Sequence, residues 1–479
     1  MSAWEIVLGL EVHVELSTKS KIFCACSTEF GAEPNTHCCP GCLAMPGTLP
    51  VLNERVLEYA IKAGLALGCE VNRHNQFDRK HYFYPDITKA YQTSQLYLPF
   101  CHDGKVEVTT RSGKNIAVRI HEIHMEEDAG KLTHSPFGDA TYVDGNRGGV
   151  PLIEIVSAPD MRSAEEAVAY LEHIKSVLEY LEVSDCKMQE GSLRTDVNLS
   201  VRPQGSDTLG VRTEMKNLNS FKAIERAIAY ESRRHIEVIE SGGTLVQETR
   251  RWDDNRGRSL PMRGKENAND YRFFPDPDIP PIYVSEEMIA LLRAQQPEFA
   301  AQKAERYAKA YGLKPKDAAT IAASKYLAGL FEQTAALSGN ARETVSWMLG
   351  NMMYLMDDRN IEPEDLNVAP EAFAKFVQLI GSGTINRGVG KQVFEALFDH
   401  GTDPEQYVKD HDLAQVSDES LIISTVERVL AENPKTIEQF KSGQQKVFGF
   451  LVGQAMKQLK GKASPEMINK ALHESLENL

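Results

Sequence analysis

The stretch WEIVLGLEVHVEL, residues 4–16, alternates with a period of two: Ile6, Leu8, Leu10, Val12, Val14 and Leu16 fall on one face, Glu5, Glu11, His13 and Glu15 on the other. Successive strand side chains point to opposite faces, so the pattern predicts a β-strand with an acid-rich polar face. A second such segment runs from Val118 to Glu126, where Val118 and Ile120 are followed on the same face by Glu122, His124 and Glu126. Strand patterns return at Leu193–Val201 and Val211–Met215. Ser163 with Glu166 forms a capping box opening a helix that carries Val168, Leu171, Ile174, Leu178 and Leu181. Another helix begins near Ser220 and stops at Gly242 and Gly243. Strand runs with a few intervening helices indicate an α+β domain rather than a regular βαβ array.

The texture changes after FFPDPDIPPIY, residues 273–283. Beyond about residue 290 the chain is Ala-rich and helix-patterned, with amphipathic runs at Ala318–Leu337 and Glu343–Met356. GSGTINRGVGK, residues 381–391, reads as a loop between helices because it lacks the Gly-Lys-Ser/Thr ending of a phosphate loop. With the turn around His400–Pro404 it divides this half into a middle helical region and a C-terminal unit.

A chain of 479 residues, 42% hydrophobic and 25% charged, is a folded multidomain protein. Glu5, Glu11 and Glu15 exclude a signal peptide, and no run approaches the ~20 apolar residues of a membrane span, so a cytoplasmic protein with reduced thiols is expected. A net charge of −15 argues against coating nucleic acid by bulk electrostatics. A local basic surface remains open: Lys435, Lys441, Lys446, Lys457, Lys460, Lys462 and Lys470 crowd the C-terminal stretch, as either a solvated helix surface or an RNA-facing one.

Three groups of residues carry chemistry. The pairs Cys24-x-Cys26 and Cys39-x-x-Cys42, the second around Pro40 and Gly41, supply the four thiolates that tetrahedral zinc wants. Four small buried thiols are the alternative, and Cys38 competes with Cys39 as a ligand. Glu11 and His13, with His124, Glu126, Glu127 and Asp128, form an acidic constellation that is costly to assemble without a cation, and Mg²⁺ on ATP phosphates is the common reason to do so. A charged edge strand would explain either segment alone. Arg79, Lys80, Lys89, Arg194, Asp196, Glu214 and Lys216 supply the charged and polar groups that phosphoryl transfer needs. Tyr82, Phe83, Tyr84 and Tyr91 read as core rather than as a base-stacking surface. No Ser-Ser-Lys amidase constellation is found, so any ammonia consumed comes from another chain.

Taken in order, GLEVHVEL, TKSKIFCAC, CCPGCLAMPGTLPVLN, FDRKHYFYPD with KAYQTSQ, HMEEDAGK, DGNRGGVPLIEIVSAPD, EGSLRTDVNLS, TEMKNLNSF, DYRFFPDPDIPP and FLVGQAMKQLKGKASPEMINKAL resemble the B subunit of the glutamyl/aspartyl-tRNA amidotransferase, the GatB family. The resemblance implies an α+β catalytic "cradle" of glutamine synthetase-like fold over residues 1–292, a helical domain over 293–404 and a YqeY-type, tRNA-binding tail over 405–479. It implies a ligase in a heterotrimer with an amidase A subunit and a small C subunit. This subunit would use ATP to phosphorylate the side-chain carboxylate of mischarged Glu-tRNA(Gln) or Asp-tRNA(Asn), and ammonia from the A subunit would displace the phosphate. Position by position, the Mg²⁺ candidates are Glu11, His13, Glu126 and Glu214; Lys80, Lys89 and Asp196 join Glu126 in the activation chamber; the structural Zn²⁺ ligands are Cys24, Cys26, Cys39 and Cys42. Thr195 stands where the family often has Cys.

Two alternatives fit the sequence less well. The archaeal paralogue GatE carries a large insertion for which this chain has no room between cradle and helical blocks. A non-catalytic zinc-containing tRNA-binding module would have no need for Glu11, His13 and Glu126 to converge.

Overall fold

The computed structural model describes residues 4–262, 271–414, 419–441, 446–459, 463 and 465–477. The chain divides into two compact units, Met1–Phe299 and Ala300–Leu479.

The first unit is built on one nine-stranded sheet. Its strands are β1 (Trp4–Glu15), β2 (Glu70–Val71), β3 (Cys101–Thr109), β4 (Asn115–Glu127), β5 (Pro151–Ser157), β6 (Leu193–Pro203), β7 (Thr213–Lys216), β8 (Glu248–Asp253) and β9 (Arg258–Pro261). Their spatial order is β9-β8-β7-β6-β1-β5-β4-β3-β2, so β1 lies in the middle. All pairings are antiparallel except β7 with β8. The alternation of β1 has its expected consequence: Leu8, Leu10, Val12 and Val14 are buried on one face. They share a core with Ile61 of α1 (Glu54–Ala66), Leu171 and Ile174 of α2 (Ala164–Tyr180), and Ile224 and Ile228 of α3 (Phe221–Glu240). An antiparallel sheet covered by helices on one face leaves the other free to be polar.

Local signals behave as the chemistry requires. The Ser163 hydroxyl accepts from Glu166 N to cap α2, while the Glu166 carboxylate accepts from Arg162 N, one residue earlier than a strict capping box. Ser220 caps α3, and Gly242 follows its end with a φ of 75°.

Four expectations are corrected. Phe83 and Tyr84 are not core; Phe83 is 89% exposed. They sit in the connection between the short paired strands Asp78–His81 and Tyr91–Ser94, outside the helix-covered layer. The run Ala318–Leu337 is two helices, Pro315–Ala322 and Lys325–Ser338, because Ser324 caps the second. The run Glu343–Met356 is interrupted by one wide turn at Met348–Met352. Of GSGTINRGVGK, residues 387–391 are helical: Asn386 caps the helix Arg387–His400.

The second unit is helical among its described residues. Its last four helices, Glu419–Glu432, Pro434–Lys441, Lys446–Gln458 and Pro465–Glu477, close on Ile422, Val426, Leu451, Ile468 and Leu472. Lys435, Lys457 and Lys470 are carried on them. Lys460 and Lys462, and the side chains of Lys441 and Lys446, lie outside the described residues. No helix among the described residues is long and apolar enough to cross a membrane.

Close packing of α1 on β3 yields a test. A methyl group at Gly64 would overlap the Sγ of Cys101. Gly64→Ala should therefore destabilise the first unit by about 1–3 kcal/mol in chemical denaturation, despite the helix-propensity gain of ~1 kcal/mol. Adding Cys101→Ala should recover most of the loss; no recovery would contradict the packing.

Candidate active site and cysteine knuckle

Register places the polar residues of the sheet in rows. His124 of β4, Glu154 of β5, His13 of β1 and Arg194 of β6 lie directly across from one another. Two residues along β1, Glu11 faces Asp196 of β6; in the other direction Glu15 comes level with Glu126 of β4, with Leu152 of β5 between them. Glu214 of β7 pairs with Asn198 of β6 on one side and with Thr249 of β8 on the other. Two trios result, each with ligand atoms within 4.8 Å of one another: His13, Glu126 and Glu154, and Glu11, Asp196 and Glu214. Because Glu11 and His13 are two residues apart on one strand face, the trios are neighbours.

The first trio is enclosed. Glu126 accepts from Ser94 Oγ at 2.5 Å and Gln92 Nε2 at 3.2 Å. Burial lowers the His13 pKa, favouring the neutral imidazole, although Glu126 and Asp196 pull the other way. Burial, then the charges of Glu126 and Glu11, push the Glu154 carboxyl well above its ordinary range. The second trio has a resident cation: the Lys216 ammonium bridges Asp196 and Glu214, 2.9 Å from Glu214 Oε1. Burial raises the Glu214 pKa, but Lys216 and Thr249 outweigh it and leave the carboxyl below its usual range. Hard carboxylate oxygens from converging strands suit Mg²⁺.

The two lysines of the expected chamber separate. Lys80 lies across from Gln92 in the short ribbon, and its charge opposes the rise of the Glu154 pKa. Lys89 instead pairs with Glu127 at 2.5 Å and Thr93 Oγ1 at 2.9 Å, lining a cavity of about 280 Å³ with Lys21, Cys24 and Cys42. The alternation of Gln92 and Thr93 explains the divergence.

Glu154 escaped the sequence reading. Its signal was present in PLIEIVS, residues 151–157, where one acid interrupts an apolar strand. Below His13, Glu15 meets Asp128, which is held by Arg194 at 2.5 Å and Arg147 at 3.7 Å. Burial and the neighbouring Asp128 push Glu15 up to about 8. Asp128 is itself buried, yet the two arginines keep it below its ordinary range.

Cys24, Cys26, Cys39 and Cys42 bring their sulfurs within 4.8 Å of one another. Cys38 falls outside that quartet, its Sγ 3.9 Å from Asn146 Oδ1 and in hydrogen-bonding contact with Cys42. Cys42 Sγ accepts from Cys39 N at 3.2 Å and from Lys21 Nζ at 3.7 Å. Hydrogen bonding from the Cys24 thiol holds Cys42 down to about 4 and pushes Cys24 up. A low-pKa sulfur, backed by a fully buried lysine, fits a group that can bind a metal. Thr195 lies on the apolar face of β6, across from Val12 and away from this quartet.

Paired acidic trios on a helix-backed sheet, with a four-cysteine knuckle, place the chain among proteins with a GatB/GatE catalytic domain, whose family model matches residues 6–290. A second model, described as a GatB domain, matches residues 329–476. The chain is 53% identical over 479 residues to the aspartyl/glutamyl-tRNA(Asn/Gln) amidotransferase B subunit of Caldicellulosiruptor bescii, covering 99% of this chain and 100% of that protein. It is 54% identical over 476 residues to the protein of that name in Lachnoclostridium phytofermentans, covering 99% of each. The Clostridium tetani protein of that name is 49% identical over 476 residues, again with 99% of each covered. The chain belongs to the GatB family.

Two measurements test this geometry. Elemental analysis of the purified chain should find about one zinc, lost in Cys42→Ser; a metal-free, fully folded wild type would return the cysteines to a packing role. The folded state holds a proton on Glu15 that the unfolded chain releases near 4.5, so this group makes stability fall as pH rises from 4.5 to about 8. Glu15→Gln should flatten that part of the melting-temperature profile and melt higher than wild type above pH 8; an unchanged slope would contradict the assignment.

Proposed function

We propose that this chain activates the side-chain carboxylate of Glu-tRNA(Gln) and/or Asp-tRNA(Asn) with ATP, and amidates it with ammonia from an amidase A subunit, giving Gln-tRNA(Gln) or Asn-tRNA(Asn). The observation that carries this reading is the convergence of His13, Glu126 and Glu154 with Glu11, Asp196 and Glu214 on one sheet face. A binding module would leave such carboxylates unexplained. The name that the relatives share, as aspartyl/glutamyl-tRNA(Asn/Gln) amidotransferase chains, agrees with it.

A carboxylate is a poor electrophile with no usable leaving group. Its oxygen forms a bond to the γ-phosphorus of ATP, ADP departs with the electron pair, and the acyl phosphate now has a good leaving group. Ammonia then attacks the acyl carbon, phosphate leaves, and the nitrogen sheds a proton. Mg²⁺, when bound, neutralises charge on the polyphosphate, and Glu11, His13, Glu126, Glu154, Asp196 and Glu214 would hold it. Lys80, facing the Glu126 side, would grip the transferred phosphoryl group or the incoming carboxylate, while Ser94 and Gln92 fix the direction of Glu126. Lys89, drawn off by Glu127, would act through that pair on the wall of the chamber.

The cysteine quartet would hold a closed, structural Zn²⁺. Residues 1–292 would form the catalytic cradle, 293–404 a helical domain and 405–479 a tail that grips the tRNA body by shape and backbone. The chain would work in the cytoplasm, in a heterotrimer with the A subunit and a small C subunit.

Glu126→Gln in the assembled complex should lower ATP-dependent formation of phosphorylated aminoacyl-tRNA by roughly 100-fold or more while sparing glutaminase activity. Glu154→Gln should do the same. Undiminished transamidation by both variants would sink the catalytic assignment.

A further inference from the structure

The two trios are compensated differently. Around Glu11, Asp196 and Glu214 the compensation is covalently attached to the chain: Lys216 Nζ bonds both Asp196 and Glu214. Neutral donors hold Glu11 and Glu214. Asn198 Nδ2 donates to Glu11 Oε1 at 2.9 Å, and Thr249 Oγ1 donates to Glu214 Oε2 at 2.6 Å. Glu214 thus keeps one oxygen anchored and turns the other toward the ammonium. The base of the lysine is fixed as well. Lys216 ends β7, and the next residue, Asn217, has a φ of 65° with its Nδ2 bonded to Trp252 O at 2.9 Å. The side chain is 38% exposed, so its tip has a path outward.

We propose that Lys216 is a tethered counter-cation, occupying the place between Asp196 and Glu214 until a divalent ion displaces it. This rests on the reading of the face as a magnesium–nucleotide site. Like charges in the same place repel, so ion and ammonium compete for Asp196 and Glu214. Glu11 and Glu214 stay where Asn198 and Thr249 hold them, Asp196 is bonded by the ammonium, and the mobile part is the lysine tip. A displaced ammonium needs another anion, and the one that arrives with the ion is the polyphosphate of the nucleotide. Lys216 therefore opposes binding of a bare ion at this trio and favours binding of the ion with its nucleotide. The device keeps Asp196 and Glu214 together between turnovers and couples their release to arrival of substrate.

Mn²⁺ serves as the probe, titrated by electron paramagnetic resonance into the full-length chain freed of exchangeable divalent ions. Wild type should show a tight and a weak class of bound ion. In Lys216→Met the weak class should tighten on the order of tenfold, and in Lys216→Arg, which keeps the charge, it should not. A non-hydrolysable ATP analogue should tighten the weak class in wild type and do so far less in Lys216→Met. A purely structural ion pair would instead lower the melting temperature of Lys216→Met and leave both Mn²⁺ classes unchanged, which would overturn the proposal. If Lys216→Met does not fold, Lys216→Gln and the analogue effect in wild type decide; no nucleotide-dependent tightening overturns it. Absence of any Mn²⁺ binding, in wild type and variants alike, would instead overturn the magnesium–nucleotide reading itself.

Discussion

Everything polar in the first unit depends on the register of β1 between β5 and β6. Eleven residues of β1 are paired with β6, from Trp4 opposite Pro203 to Val14 opposite Leu193. A slip of one residue would carry Leu8, Leu10, Val12 and Val14 to the polar face and drive Glu11, His13 and Glu15 into the helices. Burial of the four aliphatic side chains therefore fixes where the carboxylates meet. The stability of the core and the geometry of the site are two consequences of one alternation.

That arrangement concentrates negative charge, and the chain answers it by three means along the same face. Burial and like charges push the Glu15 and Glu154 carboxyls upward, favouring their protonated forms. Guanidinium groups compensate Asp128, through Arg194 and Arg147. An ammonium compensates Asp196 and Glu214, through Lys216. Protons and a flexible ammonium can both be exchanged for a metal ion, whereas the two arginines, each hydrogen-bonded or packed within the network, are suited to remain. The knuckle joins the same region through Lys21, which bonds Cys42 on one side and Gly145 O on the other. The connection carrying Gly145 also carries Arg147, so the cysteines brace the loop that supports Asp128.

Much of this was legible in the sequence. Period-two alternation marks the strands of Glu11, His13 and Glu126, and the spacing of two cysteine pairs marks the quartet. Partners brought by long-range pairing were harder to see. Glu154 is remote from His13 along the chain and sits inside an apolar run, and only the β1–β5 register brings the two together. Lys80 and Lys89 both look like chamber residues, but Lys80 lies across the ribbon from Gln92, on the Glu126 side, whereas Lys89, outside the ribbon strands, reaches Thr93 and Glu127. Phe83 and Tyr84 read as core by composition, yet they stand exposed in the connection between two short strands. In the second unit, the helical texture was plain, but the break at Ser324 rests on the capping hydrogen bond that its hydroxyl accepts from Leu327 N.

The most direct test of carboxylate activation by phosphorylation uses Glu-tRNA(Gln) labelled with ¹⁸O in the side-chain carboxylate, supplied with ATP and glutamine in the assembled complex. Transfer through an acyl phosphate requires one labelled oxygen to appear in inorganic phosphate for each amide formed. Label found in AMP, or phosphate released without label during turnover, would contradict it.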